Sequence, residues 1–145
     1  QERNKRGLRP HIGSCHTGIH IGGDCLSFSD EALSWEGAAA ACASRGGALA
    51  SLADPRAVLE YSQEYYDGTN FWIGGSDAVM EGHWVWHTGV PFAANFPWGR
   101  GEPDSRAGDH EDCLELRGKW YNDQECNRTN RYICEDLEPR LLVPL

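Results

Sequence analysis

The sequence lacks any long apolar run. No stretch approaches the roughly 18 to 20 consecutive apolar residues that a membrane-spanning helix requires. The first ten residues, QERNKRGLRP, also lack the apolar core of a secretory signal peptide. We therefore expect a domain that does not insert into a membrane, with any signal or anchor removed or lying outside this sequence.

Basic residues are also scarce. Thirteen Lys and Arg stand against 22 Asp and Glu, which gives a formal net charge of -9, and four of the basic residues fall within the first ten positions. The rest of the chain is therefore more acidic than the total indicates. Because an acidic surface repels phosphate groups, nucleic acid and anionic membranes are disfavoured as partners.

The sequence has no internal repeat and no heptad pattern, so neither a solenoid nor a coiled coil is indicated. Its 145 residues, 40% of them hydrophobic, are enough for one domain with a true core. We divide the chain into a flexible basic arm at 1–10, a folded domain at 11–136 and a C-terminal tail at 137–145.

No two cysteines form a Cys-x-x-Cys pair, which argues against a zinc ribbon or a thioredoxin-like redox site. The six cysteines are interpreted as three disulfides, and spacing alone does not choose among the 15 possible pairings. Their clustering favours short loops at 15/25 and 113/126 and one long tie from 42 to 134. Disulfides require an oxidising compartment, so we expect a secreted protein or an ectodomain. Asn127, in the sequon Asn-Arg-Thr, is a candidate glycosylation site.

Two helices are predicted in the first half of the chain. Ser34 is a candidate N-cap for an alanine-rich segment that carries Cys42 and stops at Gly46-Gly47. The second helix has Asp54 as its cap and Pro55 at its first position. It ends at Asp67-Gly68.

Short strands are predicted around these helices. A small hairpin lies between Cys15 and Cys25, and further strands are predicted in FWIGG (71–75), HWVWHTG (83–89), CLELRGKWY (113–121) and NRYICE (130–135). The stretch between Pro91 and Asp112 is rich in Gly, Pro and Asp and has no usable period. Because it is longer than a structureless loop in a compact domain usually is, we interpret it as functional or disordered.

An acidic cluster lies in and after this loop. Eight carboxylates occur between Glu102 and Glu125 against three basic residues. Such a cluster is either a solvated acidic face or a site neutralised by a cation. Glu102 and Asp104 flank Pro103, where a cis peptide bond would aim both acids at one point. Glu111, Asn122 and Asp123 follow, and all five residues offer the hard oxygen ligands that calcium, rather than zinc, prefers.

Six short motifs occur in order along the chain: WIGG (72–75), WVW (84–86), GEPD (101–104), HEDC (110–113), WYNDQEC (120–126) and YICE (132–135). With the spacing of the cysteines, they resemble the long form of the C-type lectin-like domain, over nearly everything from Cys15 to Glu135. The resemblance implies an α+β fold in which two helices flank small antiparallel sheets and a long loop carries the ligand site. It also implies the disulfides Cys15–Cys25, Cys42–Cys134 and Cys113–Cys126.

The resemblance implies a function as well, namely calcium-dependent binding of glycans without any reaction. In sugar-binding members the calcium ligands fall at positions that correspond here to Glu102, Asp104, Glu111, Asn122 and Asp123. All of these except Asp123 would also contact the sugar, whose hydroxyls coordinate the ion directly. Tyr121 stands where the family has Trp. Trp98 is a candidate for stacking on a sugar ring, with packing under the loop as the alternative.

A second calcium position of the family corresponds here to Asp77, Glu81, Glu111 and Asp112, although one further family ligand is Ser105 in this chain. Asp77 and Glu81 are equally well explained as solvated loop acids. The second site is therefore expected to be the poorer of the two.

The tripeptide Glu102-Pro103-Asp104 mixes the mannose-type EPN and galactose-type QPD patterns of the family. Two carboxylates only accept hydrogen bonds, so a sugar hydroxyl facing both leaves one polar group unsatisfied, at a cost of about 1 to 3 kcal/mol. We therefore expect weak or relaxed binding of mannose-type or galactose-type glycans on cell surfaces or microbes. Several copies acting together, as in an oligomer, would raise the avidity.

Two other classes of function compete with this one. A glycoside hydrolase would use two of the carboxylates as acid and base, but a bound divalent cation would keep both ionised. A lectin-like domain that binds a protein, a mineral or ice is the stronger alternative, because the tripeptide departs from both sugar-binding patterns.

Overall fold

The computed structural model describes residues 13–15, 18–103 and 112–137. In chain order the elements are β1 (Gly13–Ser14), β2 (Ile19–Ile21), β3 (Asp24–Phe28), α1 (Trp35–Ser44), β4 (Gly47–Leu49), α2 (Pro55–Tyr65), β5 (Asn70–Ser76), β6 (Cys113–Arg117), β7 (Trp120–Gln124) and β8 (Arg131–Asp136). The α+β class is confirmed. The arm at 1–10 and all but the first residue of the tail at 137–145 lie outside the described residues, so those domain boundaries stay predictions.

Both predicted helix starts are confirmed. The Ser34 hydroxyl oxygen accepts a hydrogen bond from the Gly37 N–H at 3.1 Å, and Asp54 Oδ1 accepts one from the Ala57 N–H at 3.1 Å. Each cap satisfies a backbone donor that has no partner within its helix. Neither helix is long and apolar enough to cross a membrane, and the same holds for the described part of the chain as a whole.

The N-terminal hairpin is confirmed and has a two-residue turn. β2 and β3 pair in register from Ile19 with Leu26 to Ile21 with Asp24. The turn residues Gly22 and Gly23 have φ of 59° and 99°, a region that glycine enters without steric cost.

The strands form one mixed sheet in the order β1-β2-β3-β8-β5-β6-β7, with β4 also paired to β8. The pairing of β5 with β8 is parallel, which differs from the purely antiparallel expectation. Because β5, β6 and β7 alternate in direction, β7 runs parallel to β5. After β7 the chain crosses over β5 and pairs with it as β8, on the side of β5 opposite to β6. A crossover of this kind places the two paired strands parallel.

Two clusters of buried side chains lie on either side of β8. Ile133 belongs to the larger cluster, whereas Tyr132 and Cys134 belong to a smaller one beneath α1. This is the alternation expected of a strand that is covered on both faces. Trp72 also lies in the smaller cluster, and its indole N–H donates to the Leu33 carbonyl at 3.0 Å.

The three disulfides are confirmed as Cys15–Cys25, Cys42–Cys134 and Cys113–Cys126. Cys42–Cys134 ties α1 to β8 across 92 residues of sequence. Cys113–Cys126 closes the segment that contains the β6–β7 hairpin.

The strand predicted at 83–89 is wrong. Only isolated bridges form there, in which Val85 pairs with Ser76 and with Pro91. Glycines with positive φ, Gly82 and Gly89, turn the chain on both sides, so the extended piece is too short for a ladder. The segment nevertheless buries Trp84 and Trp86, which is why its composition looks strand-like.

Candidate metal centre

Main-chain hydrogen bonds hold the loop that contains Glu102 along β7. Trp98 forms a parallel bridge with Tyr121, and the Gly99 N–H donates to the Tyr121 carbonyl at 2.9 Å. The Glu102 N–H donates to the Gly99 carbonyl at 2.9 Å, and the Glu102–Pro103 peptide bond is cis. These contacts place Glu102 beside Asn122, and both residues line one groove.

The groove has a volume of about 470 Å³. Glu102 and Asn122 contribute a carboxylate and an amide to it, and the rest of its polar and aromatic lining comes from Arg100, Arg117, Trp120 and Tyr121. Asp123 follows Asn122 on β7 and is buried. Glu102 and Asn122 offer hard oxygens in one place, which is the donor chemistry that calcium prefers.

Asp104 and Glu111 lie outside the described residues. Of the five residues that the sequence nominates as calcium ligands, the structure therefore places Glu102 and Asn122 in one groove and Asp123 directly after Asn122 on β7. The complete set of five stays a prediction.

Glu115 is a site residue that the sequence analysis missed. It is 2% exposed, and its carboxylate accepts hydrogen bonds from Asn122 Nδ2 at 3.1 Å and from Asn130 Nδ2 at 3.0 Å. Because the Asn122 nitrogen faces Glu115, the amide oxygen is turned the other way. Its position between Leu114 and Leu116, two apolar residues that indicate burial, was the signal in the sequence.

A second acidic cluster matches three of the four residues proposed for the other cation. Oxygens of Asp77, Glu81 and Asp112 lie within 4.8 Å of one another, whereas Glu111 lies outside the described residues. The Asp77 N–H donates to the Asp112 carbonyl at 3.1 Å, which brings the two segments together. Asp77 Oδ1 and Asp112 Oδ1 are buried and accept no hydrogen bond from the described residues.

The electrostatics of this cluster favour a cation. Burial raises the pKa of Asp77 to about 7, against the opposing effect of the Gly82 N–H, which donates to Asp77 Oδ2 at 2.8 Å. The carboxyls of Asp112 and Glu81 raise this pKa further. A raised pKa means that the ionised form of Asp77 is destabilised, and a divalent cation bound beside it would stabilise that form. These residues therefore fit calcium.

Trp98 packs within an aromatic cluster under the loop. Its ring centroid lies 5.1 Å from that of Trp84, 5.0 Å from Phe96 and 5.9 Å from Phe92. Stacking of Trp98 on a sugar stays a prediction. The exposed aromatic side chain at the groove is Trp120, which is 56% exposed and which the sequence analysis did not consider for this role.

Tyr121 is fully buried, and its hydroxyl donates to the Pro55 carbonyl at 2.8 Å. Burial raises the pKa of this hydroxyl well above its ordinary value, so it is a neutral donor. Its hydroxyl is therefore turned to α2, away from solvent, and supports β7 from beneath. Asn127, the candidate glycosylation site, is exposed after β7, and its modification stays a prediction.

Comparison with protein families gives a match to the Lectin C-type domain over residues 31–136. The galactose-specific lectin nattectin of Thalassophryne nattereri is 35% identical over 134 residues, which cover 87% of this chain and 82% of that protein. The CD209 antigen of Symphalangus syndactylus is 32% identical over 117 residues. That alignment covers 78% of this chain but only 30% of the antigen.

Solved structures share the fold. The mouse scavenger receptor C-type lectin carbohydrate-recognition domain superposes with a TM-score of 0.70 at 27% identity, covering 89% of this chain and 95% of that one. A calcium-independent type II antifreeze protein superposes with a TM-score of 0.68 at 24% identity, covering 89% and 93%. The second likeness shows the fold alone. These four similar proteins are described as a lectin, an antigen, a carbohydrate-recognition domain and an antifreeze protein, and none is described as an enzyme.

Proposed function

The chain belongs to the C-type lectin domain family, and from this we propose that it binds glycans through a calcium ion held beside β7. Calcium, when bound, supplies coordination positions for sugar hydroxyls. The proposed ligands are Glu102, Asp104, Glu111, Asn122 and Asp123.

The observation that carries this proposal is the shared groove of Glu102 and Asn122. These residues are 20 positions apart, and the main-chain bonds of Gly99 and Glu102 bring them together. A carboxylate and an amide at the rim of one groove are suited both to a hard cation and to a sugar hydroxyl.

The orientation of Asn122 supports direct sugar contact. One hydrogen of its Nδ2 is donated to Glu115, which leaves the second hydrogen for a sugar hydroxyl oxygen and the amide oxygen for the ion. Glu102 and Asp104, in contrast, only accept hydrogen bonds when ionised. We therefore propose modest affinity and relaxed preference between mannose-type and galactose-type sugars. The similarity to nattectin, a galactose-specific lectin, supports including galactose among the test sugars.

A second calcium ion is proposed at Asp77, Glu81, Glu111 and Asp112. Its role is structural, because Asp77 and Asp112 belong to two separate segments of the chain. Binding there would join the loop that follows β5 to the residue that precedes β6.

The proposed activity is recognition without catalysis. We further propose that the protein is secreted or forms the ectodomain of a membrane protein, where its three disulfides are stable. Its partners would be glycans of cell surfaces or microbes. Oligomerisation would strengthen this single-site binding through avidity.

A glycan array with galactose-terminated and mannose-terminated sugars, read in calcium and in chelator, tests the proposal. Binding is expected in calcium and should be lost in chelator. Asn122→Ala should lower the signal at least tenfold, because it removes both an ion ligand and a sugar donor. Asn95→Ala, at an exposed position of the loop, is the matched control and should bind as the wild type does.

The alternative is a lectin-like domain that recognises a protein or a mineral or ice surface. The antifreeze protein supports this alternative only as an example of the fold, as its identity to this chain is 24%. This alternative would replace the lectin proposal if two results were obtained. No glycan on the array would bind in calcium, and the protein would bind ice or a mineral in the presence of chelator.

A further inference from the structure

The turn end of the β6–β7 hairpin presents a basic and an aromatic side chain next to the proposed sugar site. Arg117 and Trp120 are paired directly across the two strands, so their side chains project from the same face. Asn122 lies two residues beyond Trp120 and shares that face. One continuous groove therefore runs from the proposed metal ligand Asn122 to Arg117 and Trp120.

A second arginine comes from the loop. Arg100 is exposed and lies between Gly99, which is bonded to Tyr121, and Glu102. Arg100 lines the same groove as Arg117. In a chain of net charge -9, the described lining of this groove carries two guanidinium groups against one carboxylate, that of Glu102.

The guanidinium of Arg117 retains donors for a ligand. Its Nη1 lies 3.6 Å from Glu115 Oε1, an ion pair that is longer than a hydrogen bond, and 53% of its side chain is exposed. Glu115 already accepts two amide hydrogen bonds from Asn122 and Asn130. Since a guanidinium has five N–H donors, several of those on Arg117 remain directed to solvent.

Resting on the function proposed above, we propose that this part of the groove is a subsite for an anionic group, a sulfate ester or a carboxylate, on the sugar adjacent to the coordinated one. A planar guanidinium matches the oxygens of either group through paired, charge-assisted hydrogen bonds. The exposed Trp120 ring offers an apolar face for the sugar that carries the anion.

The spacing agrees with a neighbouring sugar. Two residues along a strand span roughly 7 Å, so Trp120 is displaced from Asn122 by about the width of one sugar ring. The preferred ligand class is therefore an acidic glycan with a neutral terminal sugar.

Isothermal titration in calcium tests the subsite. The ligands are disaccharides that share a neutral terminal galactose or mannose and differ only in the adjacent sugar, which is neutral, sulfated or a uronic acid. At low salt the anionic ligands are expected to bind roughly tenfold tighter than the neutral one. This advantage should shrink at high salt, because the groove is open to solvent. Sulfate and carboxylate ligands are titrated separately to identify which anion is preferred.

Arg117→Gln should abolish the advantage, measured as the ratio of anionic to neutral affinity within the same variant, so that any effect of the Arg117–Glu115 ion pair on calcium or on the neutral disaccharide cancels. The matched control is Arg56→Gln on α2, which removes the same charge from an exposed position outside this groove and should keep the advantage. Arg100→Gln gives an independent variant if loss of Arg117 impairs folding.

Three results would overturn the subsite: equal affinity of the wild type for neutral and anionic disaccharides, an undiminished advantage in Arg117→Gln, or anionic binding that persists in chelator. The neutral disaccharide separates this inference from its premise. If that ligand binds in calcium without any anionic advantage, the lectin proposal stands and only the subsite fails.

Discussion

The hydroxyl of Tyr121 donates a 2.8 Å hydrogen bond to the carbonyl oxygen of Pro55, which joins β7 to the first residue of α2. Tyr121 stands between the exposed Trp120 and the proposed ligand Asn122, so one buried side chain anchors the strand that carries the site.

Tyr121→Phe removes this bond and leaves the Pro55 carbonyl without its side-chain donor. We expect the free energy of unfolding to fall by about 1 to 2 kcal/mol, measured by denaturant titration with circular dichroism. Tyr65→Phe is the control, because Tyr65 is 59% exposed and its change should stay within about 0.5 kcal/mol. Equal effects of the two variants would mean that the buried bond adds no stability.

Glu115→Gln should weaken calcium binding without removing a proposed ligand. The neutral amide is a poorer acceptor for Asn122 Nδ2 and Asn130 Nδ2, so the orientation of Asn122 is less well defined. We expect calcium affinity to fall roughly tenfold to a hundredfold in a direct calcium titration. Glu36→Gln, which changes an exposed acid on α1, should leave the affinity as it is. An unchanged affinity in Glu115→Gln would contradict the positioning role.

Asp77 should make the metal-free protein less stable as the pH rises. Its folded pKa of about 7 lies above the ordinary value of 3.8, so the folded state binds more protons between these limits. The free energy of unfolding should therefore decrease from about pH 4 to pH 7, by at most about 4 kcal/mol at about 1.4 kcal/mol per pKa unit.

Chemical denaturation in chelator across this pH range measures the effect. Asp77→Asn, which cannot ionise, should flatten the slope, whereas Asp67→Asn, at an exposed position after α2, should keep it. Saturating calcium should also remove the decrease, because the ion favours the charged carboxylates. If the free energy of unfolding in chelator has the same slope against pH in Asp77→Asn as in the wild type, other groups govern the pH dependence.

The disulfides should differ in their contribution to stability. Replacing Cys42 and Cys134 by Ser opens a loop of 92 residues and should cost roughly 4 to 5 kcal/mol by chain entropy. The same change at Cys15 and Cys25, which are 10 residues apart, should cost roughly 2 to 3 kcal/mol. Thermal and denaturant unfolding of the two double variants compares them. The opposite ranking would show that native packing, and not loop length, decides the cost.

Local features were predictable because they depend on neighbouring residues. Ser34 and Asp54 each bond to an N–H three residues ahead, and Gly22-Gly23 turns the chain within two residues. The disulfide pairing and the family could also be predicted, but for another reason. Both followed from short motifs that occur in the same order as in a known family.

Tertiary structure decided what depends on distant segments. The strand-like composition at 83–89 did not show that Val85 would form only isolated bridges, because this was set by where Ser76 and Pro91 lie. Likewise, the choice between Trp98 and Trp120 as the exposed aromatic depends on packing against Trp84 and Phe96.

The sequence by itself determined which side chains are available to a cation: a set of carboxylate and amide oxygens in and after a glycine-rich and proline-rich loop. Only the tertiary structure decided that Glu102 and Asn122 line one groove, that buried Glu115 accepts a hydrogen bond from that amide and that two arginines line the same groove. The physical reason is that hydrogen bonds between the loop and β7, together with the register of β6 and β7, join positions far apart in sequence.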